Sequence, residues 1–114
     1  MLVSSVKVSL RTFDVDYSSR TNIYESTTDV QEGSFTVTED GFIQGYTRTQ
    51  GTLGSAFMRL YINNVTIYEG YSVEGQYAYL WSPIFKVKKS DVVRYTLKTY
   101  TEDGKNSLFF YKHG

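Results

Sequence analysis

Cysteine is absent from this 114-residue chain, and with it go disulfide frameworks, thiolate metal sites and cysteine nucleophiles. Histidine occurs once, as the penultimate His113, which is too little for a multi-histidine metal site and badly placed to serve as the base of a serine nucleophile. Charge of one sign is missing too. The 12 basic and 12 acidic residues cancel, so no net field draws the chain toward nucleic acid or anionic lipid, and a neutral partner is the simplest expectation. No run approaches the roughly 20 apolar residues of a membrane-spanning helix, so membrane insertion is not expected. Residues 1–10 alternate apolar with polar side chains where a signal peptide would be continuously apolar, and they read as a strand.

What the chain has instead is aromatic surface: 11 Tyr and 7 Phe, a skew that favours pleated, half-buried elements over helices. Its length suits one domain, here taken as residues 1–114, with residues 1–32 as a possible arm or attachment segment. Val6, Val8 and Leu10 share one parity and Phe13, Val15 and Tyr17 the other, so the apolar face switches at Arg11-Thr12, as a bulge or a crossing between sheets would require. Residues 17–33 are the most polar stretch and read as a long connection with one edge strand.

From residue 33 onward the rhythm is regular. Phe35 and Val37 lead into the turn signal Glu39-Asp40-Gly41, and a strand follows over 42–49 up to the break Gly51-Thr52-Leu53-Gly54-Ser55. Met58, Leu60 and Ile62 alternate with Phe57, Arg59 and Tyr61, and Asn63-Asn64 then supplies the positive backbone φ of a two-residue hairpin returning through 65–68. Residues 69–76 read as a loop, 77–81 as a strand, Pro83 as a break, 92–101 as a long strand, and 108–111 as a terminal one after Glu102-Asp103-Gly104. The sum is an all-β antiparallel sandwich or jelly roll of about eight strands.

Chemistry is scarce. Asp14 and Asp16 fall on one face of a regular strand, where a carboxylate pair suits Ca²⁺ or a glycosidase, but they read more simply as the solvated face opposite Phe13, Val15 and Tyr17. The glycine-bearing 51–55 segment lacks the Lys-Ser/Thr of a phosphate loop, and the glycosylation pattern Asn64-Val65-Thr66 is explained by the hairpin. Aromatic side chains are the stronger signal. Tyr61, Tyr68, Tyr71, Tyr77, Tyr79 and Trp81 gather around a glycine-flanked segment, and rings with a polar edge suit protein interfaces and stacking on sugars. Tyr71, Tyr77, Tyr79 and Trp81 are the candidate ligand-binding residues; no catalytic residue, metal ligand or cofactor is assigned.

The strand entering Glu39-Asp40-Gly41-Phe42-Ile43, the Leu60-Tyr61-Ile62-Asn63-Asn64 hairpin, the run from Ser82-Pro83-Ile84-Phe85 through Lys88-Lys89-Ser90-Asp91-Val92-Val93, and the final Leu108-Phe109-Phe110-Tyr111 together resemble the head or knob domains at the distal tips of bacteriophage tail fibres. Such domains carry a glycine where Ser90 stands here. The rhythm is also similar to C1q-like and tumour-necrosis-factor-like jelly rolls. The resemblance implies a homotrimer, a non-enzymatic role in binding a host-surface glycan or protein or another virion component, and a place in the virion, with the cytoplasm before assembly. A monomeric carbohydrate-binding sandwich, Ca²⁺-dependent through Asp14 and Asp16, is the alternative.

Overall fold

Strict alternation of buried and exposed side chains builds the molecule from its strands up. Along Val92–Thr99, Val93, Tyr95 and Leu97 are buried while Arg94 faces solvent and Thr96 and Lys98 are half-covered. That is the period of a sheet with one face on a core. In the computed structural model, described for residues 14–27, 30–48, 56–71, 79–99 and 104–114, nine strands are present among those residues: β1 (Val15–Ser26), β2 (Val30–Thr36), β3 (Gly41–Arg48), β4 (Ala56–Ile62), β5 (Val65–Tyr71), β6 (Tyr79–Trp81), β7 (Phe85–Val87), β8 (Val92–Thr99) and β9 (Lys105–His113).

They form two antiparallel sheets packed as a sandwich. One has the order β1-β9-β3-β6, with β7 continuing β6 along the same edge of β3; the other runs β2-β8-β4-β5. With β6 and β7 taken as one interrupted strand, the chain alternates between sheets at every connection but the β4–β5 hairpin, in the manner of a jelly roll of eight strands. Val37, Ile43, Met58, Leu60, Val87, Val93, Leu97 and Leu108 fill the space between the sheets. Each such side chain contributes about 1.5–3 kcal/mol on removal from water. Gly45 lets Met58 of the facing sheet pack directly on the β3 backbone, since a Cβ there would lie 2.6 Å from Met58 Sδ and displace that side chain.

Three local expectations change. The polar stretch from Tyr17 is largely strand: β1 is the outer strand of one sheet and β2 that of the other, each on the sandwich and not on a detached connection. Its polarity serves a bulge. Between the Asp16–Lys112 and Thr21–Phe110 pairs, residues 17–20 stand opposite Tyr111 alone. Ser18 N–H donates to Asp16 Oδ1 at 3.1 Å, and Ser19 Oγ donates to Asp16 O at 2.6 Å while accepting from Lys112 N at 2.7 Å. These polar side chains replace the missing ladder bonds. The segment read as a loop from residue 69 is strand as far as Tyr71, and the terminal strand begins at Lys105 and runs to His113. The strand and parity switch expected over residues 6–12, the 51–55 break and the turn at Glu102-Asp103 lie outside the described residues.

The Asn63-Asn64 hairpin is present, with φ of 50° and 67° at the two residues. That pairing is the left-handed backbone a two-residue turn needs to match strand twist.

Candidate functional site

A β-strand apolar on both parities must cover both of its faces, and β9 is such a strand. Leu108 and Phe110 point into the sandwich, whereas Phe109 and Tyr111 point outward, yet both are buried. With Phe42 they form a second apolar cluster on the outer face of the five-stranded sheet, joined by half-buried Val15, Tyr46 and Ile84. That face is the candidate site.

Cross-strand pairing lays out its rows. Trp81, Tyr46, Ser107 and Glu25 lie side by side from β6 through β3 and β9 to β1. One row toward the ends of β6 and β3, Tyr79, Arg48 and Lys105 are neighbours; on the other side, Gln44, Phe109 and Asn22 follow. Tyr46 packs against Trp81 with ring centroids 4.3 Å apart, and against Tyr79 at 6.5 Å. Trp81 stacks toward Phe109 at 6.0 Å. Tyr79 and Trp81 remain 57% and 47% exposed, so they form a shelf standing on a buried aromatic floor.

The bulge in β1 supplies the far wall. It turns Tyr17 edge-on to Tyr111 at 5.5 Å and sets the Arg20 guanidinium 4.4 Å from the Phe109 ring centroid, a cation–π contact. Tyr111 Oη donates to Gln44 Oε1 at 2.8 Å, and Gln44 Nε2 donates to Ser82 O at 3.0 Å, which ties the floor to the turn after β6. Burial raises the Tyr46 phenol above its ordinary value, against the opposing influence of Arg48 beside it, so this ring stays neutral throughout the physiological range.

Of the residues expected to bind, Tyr79 and Trp81 share this shelf. Tyr71 does not join them. It ends β5 opposite Phe57, on the outer face of the four-stranded sheet, and is 69% exposed. Tyr77 lies outside the described residues. Tyr68 turns inward against Phe85 at 6.2 Å, and Tyr61 lies outward under Arg94 at 4.5 Å. Asp16 is occupied by Ser18, whose backbone N–H and hydroxyl both donate to Oδ1, and Asp14 O accepts from Gly114 N at 3.0 Å. No group of three or more acidic or histidine side chains able to hold a metal occurs among the described residues.

Sequence reading missed Tyr46, Phe109 and Arg20. They come from β3, β9 and β1, and only the sheet order brings them to Trp81. The one signal available was the double-parity run Leu108-Phe109-Phe110-Tyr111, which declares a covered outer face.

No protein-family profile matches the chain, and no curated protein matches it in sequence. Among solved structures it is similar to part of dimeric latent PorU from Porphyromonas gingivalis, with a TM-score of 0.40 and 13% identity over 79% of this chain and 11% of that one. It is also similar to part of a ruminal GH26 endo-beta-1,4-mannanase, with a TM-score of 0.41 and 13% identity over 82% of this chain and 19% of the enzyme. The chain thus spans less than a fifth of each.

Proposed function

We propose that this protein is a non-enzymatic attachment module that binds a surface glycan on the outer face of its five-stranded sheet. The observation that carries the reading is the Tyr79–Tyr46–Trp81 shelf, whose two outer rings stay half-exposed although Trp81 stacks on buried Phe109 and Tyr79 leans on half-buried Tyr46. Flat rings with polar edges stack on the apolar faces of pyranose rings, and a rigid sheet presents them at little entropic cost. Gln44 and Arg20 supply hydrogen-bond donors beside the rings.

The setting we propose is the distal tip of a bacteriophage tail fibre or a related virion appendage, where the module acts as a homotrimer after assembly in the cytoplasm. The Asp40-Gly41, Asn63-Asn64 and Lys88-Lys89-Ser90-Asp91 turns and the aromatic last strand support that reading by resemblance.

Trp81 is the sole tryptophan, so its fluorescence reports on the shelf directly. Titration with neutral and acidic oligosaccharides is expected to give a saturable change. Each ring is worth on the order of 1 kcal/mol, so Tyr79→Ala and Trp81→Ala, followed by calorimetry, should each weaken binding roughly fivefold to tenfold. Full retention of binding in the double variant would remove the shelf from consideration.

A further inference from the structure

The chain as a whole is electrically neutral, but the shelf is not. Among the described residues, the outer face of the five-stranded sheet carries Arg48, Lys86 and Lys105 at strand positions and Arg20 over the Phe109 ring, against one carboxylate, Glu25. Lys86 is assigned to this face by its pairing with outward Phe42, and Arg48 by its pairing with Tyr79 and Lys105.

Two of these cations face each other. Arg48 and Lys105 are direct cross-strand partners, an arrangement that like charges disfavour. Glu25 reaches Lys105 at 3.2 Å, but an ion pair in which both side chains are about 40% exposed is weak. Arg48 Nε is buried without a hydrogen-bond partner, and so is Ser107 Oγ, in the adjacent row between Tyr46 and Glu25. Buried polar atoms are ordinarily paired, so these two are polar groups at the base of the shelf that the sheet itself leaves unmatched.

We propose that the glycan taken by this face is acidic: a hexuronate-containing oligosaccharide, its rings stacked on Tyr79 and Trp81 and a carboxylate drawn to the Arg48–Lys105 pair. The inference rests on the glycan-binding reading above and reverses the neutral partner that net charge suggests, because charge balance over a chain says nothing of its distribution over faces. Arg48 lies next to Tyr79 in one row, so the carboxylate of a uronate ring on Tyr79 has the guanidinium beside it. Arginine presents a planar fork that matches a carboxylate with two donors.

The test titrates the intact protein, through Trp81 fluorescence and calorimetry, with oligogalacturonate and with a cello-oligosaccharide of equal length at two salt concentrations. Oligogalacturonate is expected to bind at least tenfold more tightly, and to lose affinity as salt rises, while the neutral sugar is insensitive to salt. Arg48→Gln should weaken oligogalacturonate about tenfold and leave the neutral sugar unchanged. Should that variant prove unstable in thermal melts, Lys105→Gln serves in its place. Equal or tighter binding of the neutral sugar overturns the acidic specificity while leaving glycan binding intact. Binding of neither sugar overturns both.

Discussion

Ser90 holds the left-handed backbone, with φ of 79°, in an exposed turn where its N–H donates to Val37 O at 2.8 Å. A serine side chain in that region costs about 1 kcal/mol that glycine avoids, and the hydroxyl makes no hydrogen bond here among the described contacts. Ser90→Gly is therefore expected to stabilise the fold by at most about 0.5 kcal/mol, once the roughly 0.5–1 kcal/mol for the greater freedom of glycine in the unfolded chain is subtracted. A urea midpoint that rises with an unchanged slope is the check. The next residue anchors the same corner. Asp91 Oδ2 accepts from Lys88 N at 2.8 Å and Oδ1 from Asn63 Nδ2 at 2.9 Å, while Asn63 Oδ1 accepts from Val92 N at 2.9 Å. The Lys88 backbone N–H first, and the Asn63 amide second, hold the Asp91 carboxyl below its ordinary range. A depressed folded-state value means that this stabilisation is complete above the unfolded value of about 3.9 and fades as pH falls through the lower folded one. Asp91→Asn should lower stability at neutral pH and flatten the acid limb below about pH 4, as seen in melts across pH 2–7.

At the scale of elements, the edge formed by β6 and β7 decides whether the shelf is rigid. Between them Ser82, 2% exposed, stands in for the interrupted ladder: Gly45 N donates to Ser82 Oγ at 2.8 Å, Ser82 N donates to Gly45 O at 3.0 Å, and Ser82 Oγ donates to Pro83 O at 2.8 Å. Ser82→Ala would leave the buried Gly45 N–H unpaired, at about 1–3 kcal/mol, and loosen the strand that carries Trp81. A loss of stability under about 0.5 kcal/mol, or unaltered Trp81 quenching, would contradict that role. Pro83 announced this break in the sequence, as Asn63-Asn64 announced the hairpin, because proline and left-handed turns are local chemistry. The alternation in β4 and β8 was legible for the same reason. β1 was obscured by its bulges, which insert Ser18, Ser19 and Arg20 and then Ile23, and so break the period of two that identifies a strand. The shelf was half legible: Tyr79 and Trp81 are two residues apart in sequence, on one parity of a strand, whereas Tyr46 and Phe109 reach them only through β3 and β9, whose pairing depends on long-range topology. Tyr71 stands apart from them for the same reason, since β5 and β6 belong to different sheets.

For the whole molecule, the glycan shelf and the homotrimer compete for surface. A stable subunit interface needs a well-packed apolar patch with roughly 800 Å² buried on each partner, and the outer aromatic face of the five-stranded sheet is suited to that as well as to sugar. The opposite outer face is less suited. It presents Arg59 ion-paired to Glu69 at 2.8 Å, Arg94 over Tyr61 at 4.5 Å, and Lys98 near Phe57 at 5.9 Å, with Tyr71 exposed at its margin. A trimer that used the aromatic face would bury Trp81 and exclude the glycan. A trimer compatible with attachment must therefore join through strand edges, loops or the charged face, leaving Trp81 in water. Light scattering and acrylamide quenching measured across a dilution series separate these arrangements. The expected outcome is a trimer at micromolar concentration whose Trp81 is quenched as readily as in the dissociated chain. Quenching that falls as the trimer forms would make the aromatic face a subunit interface and end its assignment to a ligand. A monomer throughout would remove the tail-fibre setting and leave the shelf as the site of a free-standing glycan-binding sandwich.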